Sequence, residues 1–193
     1  MTSDRLAEQI RFLVEADKLK NVLRRTLLTD GSRRENSAEH SWHLALTALV
    51  LVEYAAGPVN LLHVLKMVTV HDLVEIDADD TFAYDSAGNA TRPEREKRAA
   101  GRLFGLLPAD LCREVRQLWE EFEEQNTPEA RLAHAIDRLQ PFLQNVATAG
   151  GTWRIYNLSR EQVLARMDPI RTQLPRLWPM VTAAIEKHFS CRP

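Results

Sequence analysis

No stretch of this chain alternates apolar and polar residues convincingly with the two-residue period of a strand, whereas apolar residues recur three and four positions apart in one segment after another. A backbone with that pattern buries a stripe along each helix, so the expected fold class is all-α. Glycine, with 7 of 193 residues, is too scarce to break the pattern often. No Pro/Gly-rich linker or internal repeat divides the chain, and its length suits one hydrophobic core. We therefore expect a single domain over residues 1–193, a bundle of about seven or eight helices.

The spacing predicts a first helix from near Asp4 to Leu19, packing through Leu6, Ile10, Leu13 and Val14. Asn36 and Glu39 stand in capping-box register, opening a largely buried helix from Ala38 to Tyr54 that stops before Gly57-Pro58. A third runs from Leu61 to about Ile76. Thr91-Arg92-Pro93-Glu94 opens a fourth, Pro108-Ala109-Asp110 a fifth with Cys112 in its interior, and Pro128 to Ala147 forms a sixth. The last third holds a helix near Arg160–Met167 and a terminal one reaching Phe189. Between the first two helices, residues 21–35 lose apolar periodicity and contain the turn signal Asp30-Gly31-Ser32. That segment should be a loop or short helical turns, and it carries Arg24, Arg25, Arg33 and Arg34. The acidic stretch Asp77–Asn89 is the expected covering loop of a site.

With 25 basic and 27 acidic residues the net charge is -2, which gives no global field for a nucleic-acid polymer. Cys112 and Cys191 form no Cys-x-x-Cys, so neither a disulfide framework nor a thiolate zinc site is expected. Met1–Arg11 shows no secretory pattern, and the apolar run Leu44–Val52 is far too short for a membrane span. A cytoplasmic location follows as an expectation. Glycine-rich nucleotide loops, His-Glu-x-x-His and Gly-x-Ser-x-Gly are all missing.

The chemistry concentrates elsewhere. His71-Asp72 closes an apolar run and offers imidazole and carboxylate, both ligands for a borderline divalent metal. His40 and Asp137 interrupt apolar patterns on two other helices, so four ligands from three helices can meet inside a bundle. His40 can instead cap its helix, and Asp137 can pair with Arg138. Glu75, four residues after His71, would face metal-bound water from the same helical face, or make a surface ion pair. Asp77 or Asp80 can orient that water or accept a sugar hydroxyl. His43 and His134, one turn from His40 and Asp137, are satisfied interior or boundary histidines, partners of the ligands, or alternatives to them. Arg24 and Arg25, with Arg33 nearby, supply planar donors for a phosphoryl group or are solvated surface arginines. Trp42 stacks on a base or fills the core, and Trp153 and Tyr156 are expected in the core.

Taken together, His40, His71-Asp72 and Asp137 resemble the His...His-Asp...Asp signature of the HD-domain metal-dependent phosphohydrolases. The wording Glu39-His40-Ser41-Trp42-His43, His71-Asp72-Leu73-Val74-Glu75 and Ala135-Ile136-Asp137-Arg138 is similar to the branch containing bacterial 5'-deoxynucleotidase and eukaryotic HD-domain relatives. The likeness runs through residues 6–142, with helices over 159–190 expected to pack on that part. It implies that His40, His71, Asp72 and Asp137 hold one divalent ion, manganese, cobalt, zinc, iron or magnesium. It also implies that Glu75 acts on the hydrolytic water, that Asp80 recognises the sugar, and that Arg24 meets the phosphate.

Arg25 stands where that branch has tryptophan. A guanidinium cannot reproduce an apolar wall, so selectivity against a ribose 2'-hydroxyl is not expected. The implied activity is phosphomonoester hydrolysis of (deoxy)nucleoside 5'-monophosphates or a similar small ester. Phosphodiester or nucleoside triphosphate hydrolysis, or a non-catalytic metal-stabilised interaction protein, are the alternatives. The family also implies a homodimer.

Overall fold

Cap residues in the chain set where its helices start. Asp4, Asn36, Asn60, Asp85, Thr127 and Ser159 each accept a backbone N–H of the helix that follows, satisfying donors that would otherwise have no partner. In the computed structural model, which describes residues 4–190, the helices are α1 (Arg5–Ala16), α2 (Ser37–Leu51), α3 (Leu61–Val70), α4 (Glu75–Ala78), α5 (Ser86–Phe104), α6 (Ala109–Glu124) and α7 (Pro128–Ala147). They continue as α8 (Gly151–Ile155), α9 (Arg160–Arg166), α10 (Asp168–Gln173) and α11 (Trp178–Ser190). Short helices such as α4, α8 and α10 take the number of helical segments above the seven or eight expected. The fold class is the predominantly helical one predicted. Cys191 lies outside the described residues.

Four expectations need correction. Residues 21–35 are not loop or helical turns throughout. β1 (Leu23–Leu27) and β2 (Arg34–Asn36) pair antiparallel, with Leu23 opposite Asn36 and Leu27 opposite Arg34. The turn sits where the sequence put it, with Gly31 at φ +72 and the Ser32 N–H donating to Asp30 Oδ1 at 2.9 Å. The strands evade a hydrophobic reading because their inward side chains are polar: Thr26 and Glu35 are buried and Arg24 nearly so, while Leu23 and Arg25 face out.

The third helix stops at Val70, not Ile76. Residues 71–74 make successive tight turns, closed by Leu73 N–H on the Val70 carbonyl at 3.2 Å and Glu75 N–H on that of Asp72 at 2.9 Å. The fourth expected helix begins at Ser86 rather than near Thr91, because Asp85 caps it through the N–H groups of Ala87 and Gly88. Pro93 therefore lies inside α5.

α7 is buried along most of its circumference, with Leu132, Ile136, Leu139 and Phe142 shielded from water. Its apolar residues join Leu44 of α2, Val64 and Val68 of α3, Phe122 of α6, and Ile170, Leu174, Val181 and Ile185 of the last helices in one core. A second core gathers Leu19, Val74, Leu103, Phe104 and Trp119. Val70 packs against both. The His71-Asp72 turn thus leaves α3 at the seam between two packed regions, a rigid place from which to hold polar groups.

The stripe Leu6, Ile10, Leu13 and Val14 on α1 does not pack as expected: all four are at least half exposed, and α1 buries no residue. The expected C-terminal helices do form and share the α7 core.

Candidate metal centre

His71 lies in the turn after α3 with its Nδ1 at 3.0 Å from the Val68 carbonyl. A carbonyl only accepts, so Nδ1 carries the proton and Nε2 presents its lone pair. Burial, opposed by Asp72, lowers the His71 pKa and keeps the ring neutral. Nε2 is buried with no hydrogen-bond partner among the described residues, and Asp72 Oδ1 lies 3.0 Å from it. Two acceptors facing each other at that distance repel unless a cation lies with them.

His40, on α2 and fully buried, adds a second nitrogen. Gln140 Nε2 donates to Glu35 Oε1 at 2.7 Å, so Gln140 Oε1 is the atom left to accept from His40 Nδ1, at 2.9 Å. His40 Nε2 consequently points at Asp137 Oδ1, 3.0 Å away, with Asp72 Oδ2 at 3.9 Å. One donor atom from each of His40, His71 and Asp72 falls in a group whose members lie within 4.8 Å of one another. Two imidazole nitrogens and a carboxylate oxygen suit a borderline divalent cation, and the partnerless Nε2 of His71 fits such an ion. Asp137 adjoins this group through His40. Burial would raise its carboxyl, but Arg138, whose Nη1 donates to Oδ2 at 2.9 Å, is among the groups that hold it well below the ordinary range.

The surrounding charges are distributed by the turns just described. Arg24 reaches in from β1, donating through Nη1 to Asp72 Oδ2 at 2.8 Å, with Asp80 Oδ1 at 3.8 Å. Its pKa is raised: burial works against the charge, but Asp72, Asp80 and Glu75 outweigh it. Asp79 adopts φ +58, an uncommon conformation that reverses the chain after α4. Asp80 is thereby turned back towards Arg24, whereas Asp77 projects outward and is gripped by Arg102 through Nε and through Nη2, the latter at 2.8 Å. Glu75 is buried and accepts from Ser37 Oγ at 2.6 Å. Burial, reinforced by Asp72, pushes its carboxyl well above the usual range. Asp80 is raised by burial too, with Arg24 opposing.

A cavity of about 100 Å³ opens beside this cluster, bounded by Arg24 and Arg25, the loop from Asp80 to Tyr84, Asp137 and Arg138 of α7, and Arg166 of α9. Of the expected covering stretch Asp77–Asn89 only residues 79–85 are loop, the ends belonging to α4 and α5, and Arg95 Nη2 ties that loop through Thr81 Oγ1 at 2.7 Å. Arg33 is elsewhere, in an exposed two-bonded pair with Glu39 at 2.6 and 2.9 Å. Trp42 neither fills the core nor lines this cavity: it is 66% exposed on the outer side of α2. Trp153 is buried as expected, while Tyr156 lies near the surface against Phe82.

Sequence reasoning missed Glu35, Gln140 and Gln144. Glu35 is 1% exposed and accepts from both glutamines at 2.7 Å, and Gln140 also donates to His43 Nδ1 at 3.0 Å. His43 is thus two bonds removed from His40 as a partner. The glutamines are spaced four apart, and Gln140 is three residues after Asp137 on a helix otherwise apolar there, which was an available signal. His134 stacks on Phe122, accepts from Arg138 Nη2 at 3.2 Å, and is depressed to about 4 chiefly by burial.

Helices that bring a His, a His-Asp turn and a further Asp to one buried point define the class. A model of the HD domain family matches residues 16–178, and the chain belongs to that family. It is 31% identical over 136 residues to the 5'-deoxynucleotidase HDDC2 of Danio rerio, a match covering 70% of this chain and 66% of that one. The human 5'-deoxynucleotidase HDDC2 is 29% identical, covering 70% and 65%. The chain thus spans just under two thirds of the length of these two relatives. Its fold superposes with a TM-score of 0.91 on the crystal structure of a predicted metal-dependent phosphohydrolase from Magnetospirillum magnetotacticum MS-1, at 49% identity over 96% of this chain and 93% of that one.

Proposed function

We propose that this protein is a metal-dependent phosphomonoesterase acting on (deoxy)nucleoside 5'-monophosphates or closely similar small esters. The observation that carries the reading is the buried, partnerless His71 Nε2 facing Asp72 Oδ1 at 3.0 Å beside His40. The names of the relatives, two 5'-deoxynucleotidases and a metal-dependent phosphohydrolase, support the same reaction class.

In this reading His40, His71, Asp72 and Asp137 hold one divalent ion, of the manganese, cobalt, zinc, iron or magnesium group. Such an ion supplies a Lewis acid and a water of lowered pKa. Arg24 neutralises the phosphoryl charge from the opposite side of Asp72. Glu75, with Oε2 fixed by Ser37, takes the proton of the attacking water. Asp80 accepts a sugar hydroxyl. Arg25 bounds the cavity without forming an apolar wall, so ribo- and deoxyribonucleotides are both turned over. Arg33, Trp42 and Asp77 have no part in this scheme, since other contacts or exposure keep them away from the cluster.

The test is phosphate release from chelated protein given each metal in turn, over deoxy- and ribonucleoside monophosphates, a generic phosphomonoester, a cyclic phosphodiester and a nucleoside triphosphate. Metal-restored release from monophosphates is expected. A metal-stabilised protein silent across the panel is an interaction protein instead, and hydrolysis confined to the diester or triphosphate reassigns the substrate.

The same proposal takes residues 1–193 as one HD domain that acts as a cytoplasmic homodimer. No helix of the described residues is long and apolar enough to cross a membrane. The exposed apolar stripe of α1 is the face a second copy would cover. Sedimentation should give a dimer for the native chain and a monomer for Leu13→Lys. A native chain sedimenting as a monomer would remove that part of the proposal.

A further inference from the structure

Three guanidiniums besides that of Arg25 bound the cavity next to the His/Asp cluster, and they differ in what neutralises them. Arg24 donates to Asp72 at 2.8 Å and Arg138 to Asp137 at 2.9 Å. Arg25 is exposed, and water screens it. Arg166, the last residue of α9 and only partly exposed, makes no hydrogen bond or ion pair with any described residue, although Asp137, Arg138, Tyr84 and Arg24 all act on its charge. Burial, with Arg138 adding repulsion, pushes it down to about 10, which still leaves it cationic at neutral pH.

A partly buried guanidinium that no carboxylate pairs with directly is unfavourable, and an anionic ligand in the cavity would supply the missing partner. We propose that Arg166 receives an anionic oxygen of the substrate's phosphate, completing with Arg24 a clamp whose arms come from opposite ends of the chain. This rests on the phosphohydrolase reading and narrows it. The ligand of this cavity is an anion with oxygens free for a planar donor, a dianionic phosphomonoester, and a neutral or singly charged ester is bound poorly. Tyr84 and Phe82, on the same cavity wall, provide flat apolar surface for the organic part of such a ligand.

The competing explanation is structural, because a cation in the last turn of a helix complements the helix dipole. The two make opposite demands on stability. If Arg166 serves α9, replacing it lowers the melting midpoint. If it serves an anion, replacing it in ligand-free protein removes repulsion with Arg138 and leaves the midpoint equal or higher.

The experiment compares the metal-loaded native chain with Arg166→Met, of similar length, and Arg166→Lys. It measures inorganic phosphate affinity by calorimetry, kcat and KM on an ester the native chain hydrolyses, and the phosphate-free melting midpoint. For Arg166→Met we expect phosphate affinity to fall by roughly ten- to a hundredfold, the loss of hydrogen bonds to a charged group, with KM rising in step. Arg166→Lys should recover part of the affinity by keeping the charge without the planar pair of donors.

Unchanged phosphate affinity in Arg166→Met overturns the inference, and so does a lowered midpoint with KM unaltered. Should Arg166→Met not fold, the role is structural and the inference falls unless Arg166→Lys folds with native stability and weakened phosphate binding. The two readings separate cleanly. A native chain that binds phosphate through Arg166 but hydrolyses no ester sinks the hydrolase reading alone. An active native chain indifferent to Arg166→Met sinks this one alone.

Discussion

An Asp72→Asn variant is expected to lose both bound divalent metal and at least roughly a thousandfold of phosphate release, a charge-stabilising contribution of several kcal/mol being removed. The two oxygens of Asp72 have separate partners: Oδ1 faces His71 Nε2 at 3.0 Å, and Oδ2 accepts from Arg24 at 2.8 Å. An amide keeps the shape but carries no charge, so the cluster loses a carboxylate ligand while Arg24 loses the nearest of its carboxylates. Metal analysis after dialysis reads the first effect. Thermal unfolding reads it again: a saturating ion at about a hundred times its Kd should stabilise the native chain by about 2.7 kcal/mol and leave the variant unmoved. An Asn variant that retained stoichiometric metal and native turnover would take Asp72 out of the ligand set. His71→Ala should behave likewise on metal content, since it deletes the nitrogen that has no other partner.

Glu75→Gln should separate chemistry from metal binding, with turnover down by about 10²- to 10⁴-fold and metal retained. Gln can still accept from Ser37 through its amide oxygen, so the local hydrogen bond at 2.6 Å survives while the base is gone. Native turnover in the purified variant would deny Glu75 its role. The same variant carries a pH signature in metal-free protein. Burial and Asp72 raise the folded pKa of Glu75 above its unfolded value, so the folded state holds this proton more tightly. That contribution to stability is fully present below the ordinary glutamate pKa and is lost as pH rises through the raised one. Between those two values the native chain should lose stability with rising pH, whereas Glu75→Gln lacks that part of the decline. Parallel stability curves for the two proteins would mean that Glu75 is not perturbed in solution.

Several features of the site could be read from the chain because they depend on local period and residue type. His40, Asp137 and the His71-Asp72 pair were visible as polar interruptions of apolar helical runs, and these are the side chains the fold brings together. Glu35 was not visible. It lies on a three-residue strand whose inward position is acidic, the inverse of the apolar-in rule by which strands are recognised. Trp42 was misplaced for a different reason. α2 is apolar on nearly all sides, so nothing in its sequence says that His40, Leu44 and Ala48 face inward while Trp42, Leu46 and Leu49 face out.

The amino-acid order by itself determined the helical class, most helix starts and the identity of the metal-binding candidates, because capping and amphipathic period act over a few residues. Tertiary structure alone decided among the acidic residues after the doublet. The tight turns over 71–74 and the positive φ of Asp79 send Glu75 and Asp80 inward and Asp77 to Arg102. It also carried Arg166, far along the chain from Arg24, to the wall of the same cavity. Such a pairing depends on how α7 packs against β1 and how α10 and α11 hold α9, and no short-range pattern records the sum of contacts that sets that packing.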